Sequence, residues 1–192
     1  MKRWGWKAST GRYSLKKILF GWSGGKDSAL ALHEIRQNGD YEVVSLLTTI
    51  TEDYDRISMH GVRRSLLERQ AASVGIPLHE VCIPKECSNE IYAAKMAKAL
   101  NHFKKQGVET VAFGDIFLED VRDYRLGNLS QLNMEGLFPV WGRDTTEMAR
   151  TFIALGFKSI VTCIDTRVLD KKFLGRQINE DFIAGLPDGI DP

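Results

Sequence analysis

From Lys17 onward, short apolar runs alternate with amphipathic stretches of helical length. The runs Ile18–Trp22, Glu42–Thr49, Leu78–Ile83, Thr110–Phe113 and Ser159–Ile164 read as strands, short and nearly continuous in apolar character as buried parallel strands are. Between them apolar residues recur at the helical period: Leu67, Ala71 and Val74, then Ala93, Ala97, Leu100 and Phe103, then Met148, Phe152 and Leu155. A further helix is expected over Ala29–Gln37. Gly39, Gly75, Gly107 and Gly156 stand where a left-handed residue closes a helix. The alternation predicts an α/β fold on a parallel sheet. With right-handed crossovers, the first three strands progress one way and the chain then returns, which gives a doubly wound five-stranded sheet in the order 3-2-1-4-5. Strand 1 then lies beside strand 4. The crevice at that reversal, beyond the carboxyl ends of the strands, is where such sheets hold ligands. It is bordered by the turns after Trp22 and Phe113.

With 192 residues, 43% of them hydrophobic and 27% charged, the chain is large enough for one well-filled domain with a small appendage. A membrane span needs about 20 apolar residues, far more than runs such as Ile18-Leu19-Phe20 provide. Three cysteines, Cys82, Cys87 and Cys163, form no Cys-x-x-Cys pair, which argues against a disulfide framework, a zinc ribbon or a dithiol site. A reduced, cytoplasmic setting is expected. Residues 1–17 hold Lys2, Arg3, Lys7, Arg12, Lys16 and Lys17 and no acid, while the rest of the chain is net acidic. This leader is expected to be an unstructured extension rather than a transit peptide. An acidic body leaves no footprint for duplex nucleic acid, so small-molecule chemistry is the expectation.

The first turn, Ser23-Gly24-Gly25-Lys26-Asp27-Ser28, carries the strongest chemical signal. Adjacent glycines let backbone N–H groups approach an anion, and the following helix N-terminus adds unpaired donors and partial positive charge. Ser23 and Ser28 add hydroxyls, Lys26 a point charge, and Asp27 a carboxylate able to hold Mg²⁺ against phosphates. A Walker loop is excluded, since Phe20 stands where its first Gly belongs and Asp27 where Ser or Thr would follow the Lys. The dinucleotide pattern G-x-G-x-x-G fails as well. An ordinary strand-to-helix turn capped by Asp27 is the competing reading. Five specified positions match by chance about once in a million starts, which disfavours it.

Ser-Gly-Gly-x-Asp-Ser after the first strand resembles the pyrophosphate-loop signature of the N-type ATP pyrophosphatases. The similarity extends to the diphthine–ammonia ligase family and its bacterial-type relatives through Ser58-Met59-His60, Gly114-Asp115-Ile116, Asp120 with Arg125, Pro139-Val140-Trp141-Gly142-Arg143-Asp144 and Leu174-Gly175. The resemblance implies ATP and Mg²⁺ as cofactors, cleavage of ATP to AMP and pyrophosphate, and an adenylated carboxylate that ammonia converts to an amide. It implies an acceptor on a protein such as elongation factor 2. It also implies catalytic Lys26 and Asp27, with Asp27 on the metal; nucleotide contacts from Ser23, Gly24, Gly25, Ser28, His60, Gly114 and Asp115; and substrate contacts from Asp120, Arg125, Trp141 and Arg143. The corresponding division is an ATP-binding region over 18–125 and a partial substrate region over 126–192. Family members continue past Gly189-Ile190-Asp191-Pro192 into a segment reading Cys-Gly-Glu-Asn-Gly-Glu-Phe-His-Thr, so this second region is expected to be truncated. A different class, an ATP-binding module or sensor without turnover, is the alternative.

Several candidates carry competing readings. Asp115 suits a Mg²⁺ or ribose contact, or a cap on the next helix. Arg125 and Arg143 suit bidentate binding of phosphate or carboxylate, or a solvated surface. Asp144 and Glu147 resemble a capping box. Trp141 either stacks on a substrate ring or fills the core. His33, His79 and His102 show no ligand spacing and are expected to be structural. Cys82 and Cys163 are placed in or at the ends of buried strands, and no cysteine looks like the thiol that sulfur transfer to tRNA would need.

Overall fold

The structure, a computed structural model, describes residues 14–192. The leader expectation falls largely on residues 1–13, outside the described residues. Strand β1 (Lys16–Gly21) begins two residues before the expected Ile18 and buries Ile18, Leu19 and Phe20 completely. It is the central strand, paired in parallel with β2 (Tyr41–Thr51) on one side and β5 (Thr110–Ala112) on the other. Strand β4 (Leu78–Ile83) lies parallel along the far edge of β2, and β6 (Glu135–Leu137) lies parallel beside β5. The parallel strands therefore run β4-β2-β1-β5-β6, and the expected neighbours of the central strand are the observed ones.

Two features depart from expectation. The sheet has six strands and is mixed, because β3 (Arg56–Ile57) pairs antiparallel with Ile50 and Thr51 on the edge of β2 that projects past the end of β1. The fifth parallel strand is β6, not Ser159–Ile164. That apolar run makes only an isolated bridge from Ile160 to Gln177. Val161 packs instead, partly buried, on a small cluster of Phe173, Ile178 and Phe182, the last in the short α6 (Glu180–Ala184), while Ile160 is exposed. Cys163 is correspondingly exposed rather than strand-buried.

Alternation along β1 sends Ile18 and Phe20 to one face and Leu19 to the other. The first pair packs with Leu30 and Ile35 of α1 (Lys26–Asn38), Leu67 of α2 (Arg64–Val74) and Met148 of α5 (Thr145–Ala154). Leu19 packs with Leu100 and Phe103 of α3 (Asn89–Lys104) and Leu129 of α4 (Glu119–Ser130). Helices α1, α2, α3 and α5 occupy the stretches the period marks out. Asp144 caps α5 by accepting the Glu147 N–H at 2.8 Å. Among the described residues, no helix is long and apolar enough to cross a membrane.

On β4, His79 stacks on His102 with ring centroids 6.2 Å apart and meets Phe103 edge-on at 5.0 Å. Burial, reinforced by His102, holds the His79 imidazole below its ordinary range. The fold thus favours neutral His79, a contribution present above the ordinary histidine range near pH ~6.5 and lost as pH falls through the lowered folded value. Thermal unfolding from pH 7 to 5 should show Tm falling on acidification, with a shallower decline in His79→Gln. Equal slopes in the two proteins would contradict the assignment.

Candidate active site

The chain leaves β1 at Gly21, passes Trp22 to Gly24, and enters α1 at Lys26 with Gly25 as the N-cap residue. The helix begins three residues earlier than the expected Ala29, so Lys26, Asp27 and Ser28 form its first turn. Asp27 is consequently not the cap. The N–H groups of these three residues have no helical carbonyl one turn back and face the anion-favouring end of α1. The loop fastens itself: the Ser23 N–H donates to Ser28 Oγ and the Gly25 N–H to Ser23 Oγ, both at 3.3 Å, and Ser28 Oγ donates to the Gly21 carbonyl at 3.4 Å. Lys26 Nζ meets Asp27 Oδ1 at 2.8 Å.

Gln70 of α2 holds the loop from outside, donating from Nε2 to the Gly24 carbonyl at 3.1 Å. Gly24 has φ +74, a conformation that favours glycine, and a Cβ there would lie 2.3 Å from Gln70 Oε1 and push that side chain aside.

The opposing wall follows β5. A Cβ on Gly114 would lie 2.9 Å from Ser28 Cα and 3.0 Å from Ser28 N, so this loop touches the backbone of the first turn of α1. Asp115 does not cap α4, whose N-cap residue is Leu118. Its carboxylate instead pairs with Arg125, Oδ2 to Nε at 2.7 Å and Oδ1 accepting from Nη2 at 3.3 Å. The Arg125 guanidinium lies 4.3 Å above the Phe113 ring.

These walls enclose a crevice of about 460 Å³, lined by Ser23, Lys26, Asp27, Ser28, His60, Gly114, Asp115 and Arg125 among others. Gly24 and Gly25 are not among its lining residues. Asp120 is exposed in the first turn of α4, Trp141 packs edge-on to Phe138 at 5.9 Å, and Arg143 pairs with Glu34 of α1 at 2.9 Å; none of the three lines the crevice.

The crevice also contains residues that the sequence reading did not single out. Thr48 and Thr49 follow Leu47 on the neighbouring strand β2, just past the point where β1 ends at Gly21, a position the sheet order itself marks as ligand-facing. Tyr92 and Met96 reach in from α3, hidden in sequence because their spacing matches the core-facing period. Burial raises the Tyr92 phenol above its usual range, against the pull of Arg125, so it keeps its proton at neutral pH and brings an O–H to the wall. Trp22 contributes a buried indole Nε1 with no hydrogen-bond partner among the described residues.

Residues 16–129 match the family described as the diphthamide synthase N-terminal domain. The chain belongs to that family. The family is part of the pyrophosphate-loop superfamily, and its members are ATP-pyrophosphatase or ligase-type enzymes related to diphthine–ammonia ligase. The match covers β1 through nearly all of α4 and therefore both walls of the crevice. A search of curated proteins returned no match.

The residues present fit the nucleotide that this family uses. The crevice lies within the size range of small-molecule sites, Lys26, Asp27 and Ser28 of the first turn of α1 line it, and Trp22 brings a buried indole N–H with no partner among the described residues. For Mg²⁺ the fit is that of a phosphate-bound ion. Among the described residues, no group of three or more His, Cys, Asp or Glu forms a closed cage. Mg²⁺ beside phosphates typically takes only one or two carboxylates and keeps its waters. Asp27 and Asp115 both line the crevice and supply that number.

Proposed function

We propose that the chain binds Mg-ATP in this crevice and activates a substrate carboxylate as an adenylate, which ammonia then converts to an amide. The observation that carries the reading is the meeting of the Ser23–Ser28 turn with the Gly114–Asp115 loop on one crevice, in a chain of this family. The carboxylate oxygen attacks the α-phosphorus, the bond to the bridging β-phosphate oxygen breaks, and pyrophosphate leaves. Ammonia then attacks the acyl carbon and AMP departs with the bonding electrons. Lys26 and the first-turn N–H groups of α1 take up charge on the leaving pyrophosphate, the preorganised form of stabilisation that phosphoryl chemistry needs. Lys26 exchanges Asp27 for phosphate as the nucleotide enters. Asp27, with Asp115 across the crevice, holds the metal, which supplies charge neutralisation. Residues 18–125 form the nucleotide-binding part and 126–192 the substrate-binding part. The acceptor is the diphthine carboxylate of elongation factor 2, and the reaction is cytoplasmic.

A second reading, an ATP-binding module without turnover, draws on the closed state of the turn. Lys26 is neutralised by Asp27, and the Ser28 hydroxyl is engaged with Ser23 and Gly21. Product analysis separates the two. Calorimetric titration of Mg-ATP should give saturable binding, and incubation with diphthine-bearing elongation factor 2 and ammonium should yield AMP, pyrophosphate and amide in equal amounts. ADP as the product, or no binding, overturns the ligase reading; binding with ATP left intact supports the module.

A further inference from the structure

We infer that Arg122, lying on the face of Trp141, forms a carboxylate-binding subsite at the flank of the crevice. The inference deepens the proposed function, on which the identity of the acceptor rests, while the subsite itself stands on geometry. Arg122 is one turn along α4 from Leu118, which lines the crevice, and its guanidinium carbon is 4.6 Å from the Trp141 ring centroid and 5.5 Å from that of Phe138. Phe138 stacks on crevice-lining Phe113 at 5.6 Å. The Gly142 N–H donates to the Ile116 carbonyl at 2.7 Å, which ties the Trp141 loop to the same wall.

Three arginines stand near this flank, and two of them are already neutralised. Arg125 is held by Asp115 and Arg143 by Glu34. Among the described residues, no carboxylate comes within 4.0 Å of Arg122, whereas Arg125 and Arg143 each have one; the Arg122 Nε, like that of Arg125, is buried without a hydrogen-bond partner. A guanidinium that rests on a ring face donates through its edge, in its own plane, which matches the planar two-oxygen acceptor of a carboxylate. Glu119, Asp120 and Asp123, all exposed on the same helix, disfavour a multiply charged phosphate more than a singly charged carboxylate. The sequence assigns substrate contacts to Asp120, Arg125, Trp141 and Arg143 by resemblance; the pairing pattern adds Arg122 to that group.

Acetate is the probe, titrated into ¹⁵N-labelled protein against chloride at equal ionic strength, with the Arg122 Nε–H signal assigned through Arg122→Lys. The expected result is a saturable downfield shift of that signal and a parallel shift of the Trp141 indole N–H. Arg122→Gln should weaken the acetate response of the indole at least tenfold while the remaining spectrum stays superimposable. Arg122→Lys, which keeps charge but loses the planar fork, should fall between. Trp141→Leu, which keeps Arg122 and removes its platform, should also weaken acetate. A linear response equal to that of chloride, or an indole response unchanged in Arg122→Gln, overturns the subsite. Mg-ATP titrated into the same samples keeps the two ideas apart: acetate saturation without nucleotide binding leaves the subsite standing and removes the proposed function, and the converse does the reverse.

Discussion

Gly114→Ala is expected to lower both stability and nucleotide affinity, although it adds a single methyl group. The new Cβ would stand 2.9 Å from Ser28 Cα, 3.0 Å from Ser28 N and 3.2 Å from the Asp27 carbonyl carbon. All three are backbone atoms, so no side-chain rotation relieves the contact; the β5 loop or the first turn of α1 must shift. Overpacking of this kind costs about 1–3 kcal/mol. The displaced atoms include a donor of the anion-facing turn, so weaker Mg-ATP binding should accompany the lower Tm. Gly25→Ala is the control. Its φ is −83 and its Cβ would meet only Ser23 Oγ at 3.4 Å, so it should leave Tm nearly unchanged. Calorimetry and thermal melts on both variants check the pair. An equal loss in both, or in neither, would contradict the contact argument.

Lys26→Ala is expected to weaken Mg-ATP binding by roughly ten- to a hundredfold, the equivalent of one charge-assisted hydrogen bond to phosphate at about 1.5–3 kcal/mol. Its effect on folding should be far smaller. The Lys26–Asp27 pair is partly solvated, with side-chain exposures of 19% and 36%, and pairs of that kind contribute at most ~1 kcal/mol. The variant also leaves the Asp27 carboxylate without its cation, facing the incoming polyphosphate. Its residual ATP binding should therefore depend more steeply on Mg²⁺ concentration than that of the parent. An affinity within twofold of the parent at saturating Mg²⁺ would remove Lys26 from the phosphate site.

What the sequence discloses here depends on how each element is held. Strands whose apolar character comes from burial on both faces, such as Ile18-Leu19-Phe20, were legible, and so was their order around the reversal. Strand β6 was not, because Glu135-Gly136-Leu137 is three residues long and Gly136 carries no side chain: a Cβ there would lie 2.8 Å from Leu126 Cδ2. Helix α4 is anticipated only as the helix following Asp115, without bounds, because Leu129 is its single buried residue and leaves no stripe for the period to reveal. The short β3 is set by the turn through Glu52–Tyr54 and the left-handed Asp55 at φ 49, neither of which an apolar pattern encodes. The crevice-lining turn could be located from its glycines and charges alone. The pairing of Asp115 with Arg125 and of Arg143 with Glu34 could not, because it depends on which helices end up adjacent.

The central place of β1 also dictates an order of assembly. Its pairing with β5 joins Ile18 to Thr110 and Phe20 to Ala112, residues far apart along the chain, and the Gly114 contact with Ser28 forms across the same gap. Such non-local closures are slow compared with helix formation. A fragment ending at Gly107 would carry every residue of the Ser23–Ser28 turn and still lack the wall that shapes it. Amide protons of Ile18 to Phe20 are therefore expected to exchange only through global opening, and nucleotide, by bridging both sides of the gap, should slow that exchange further.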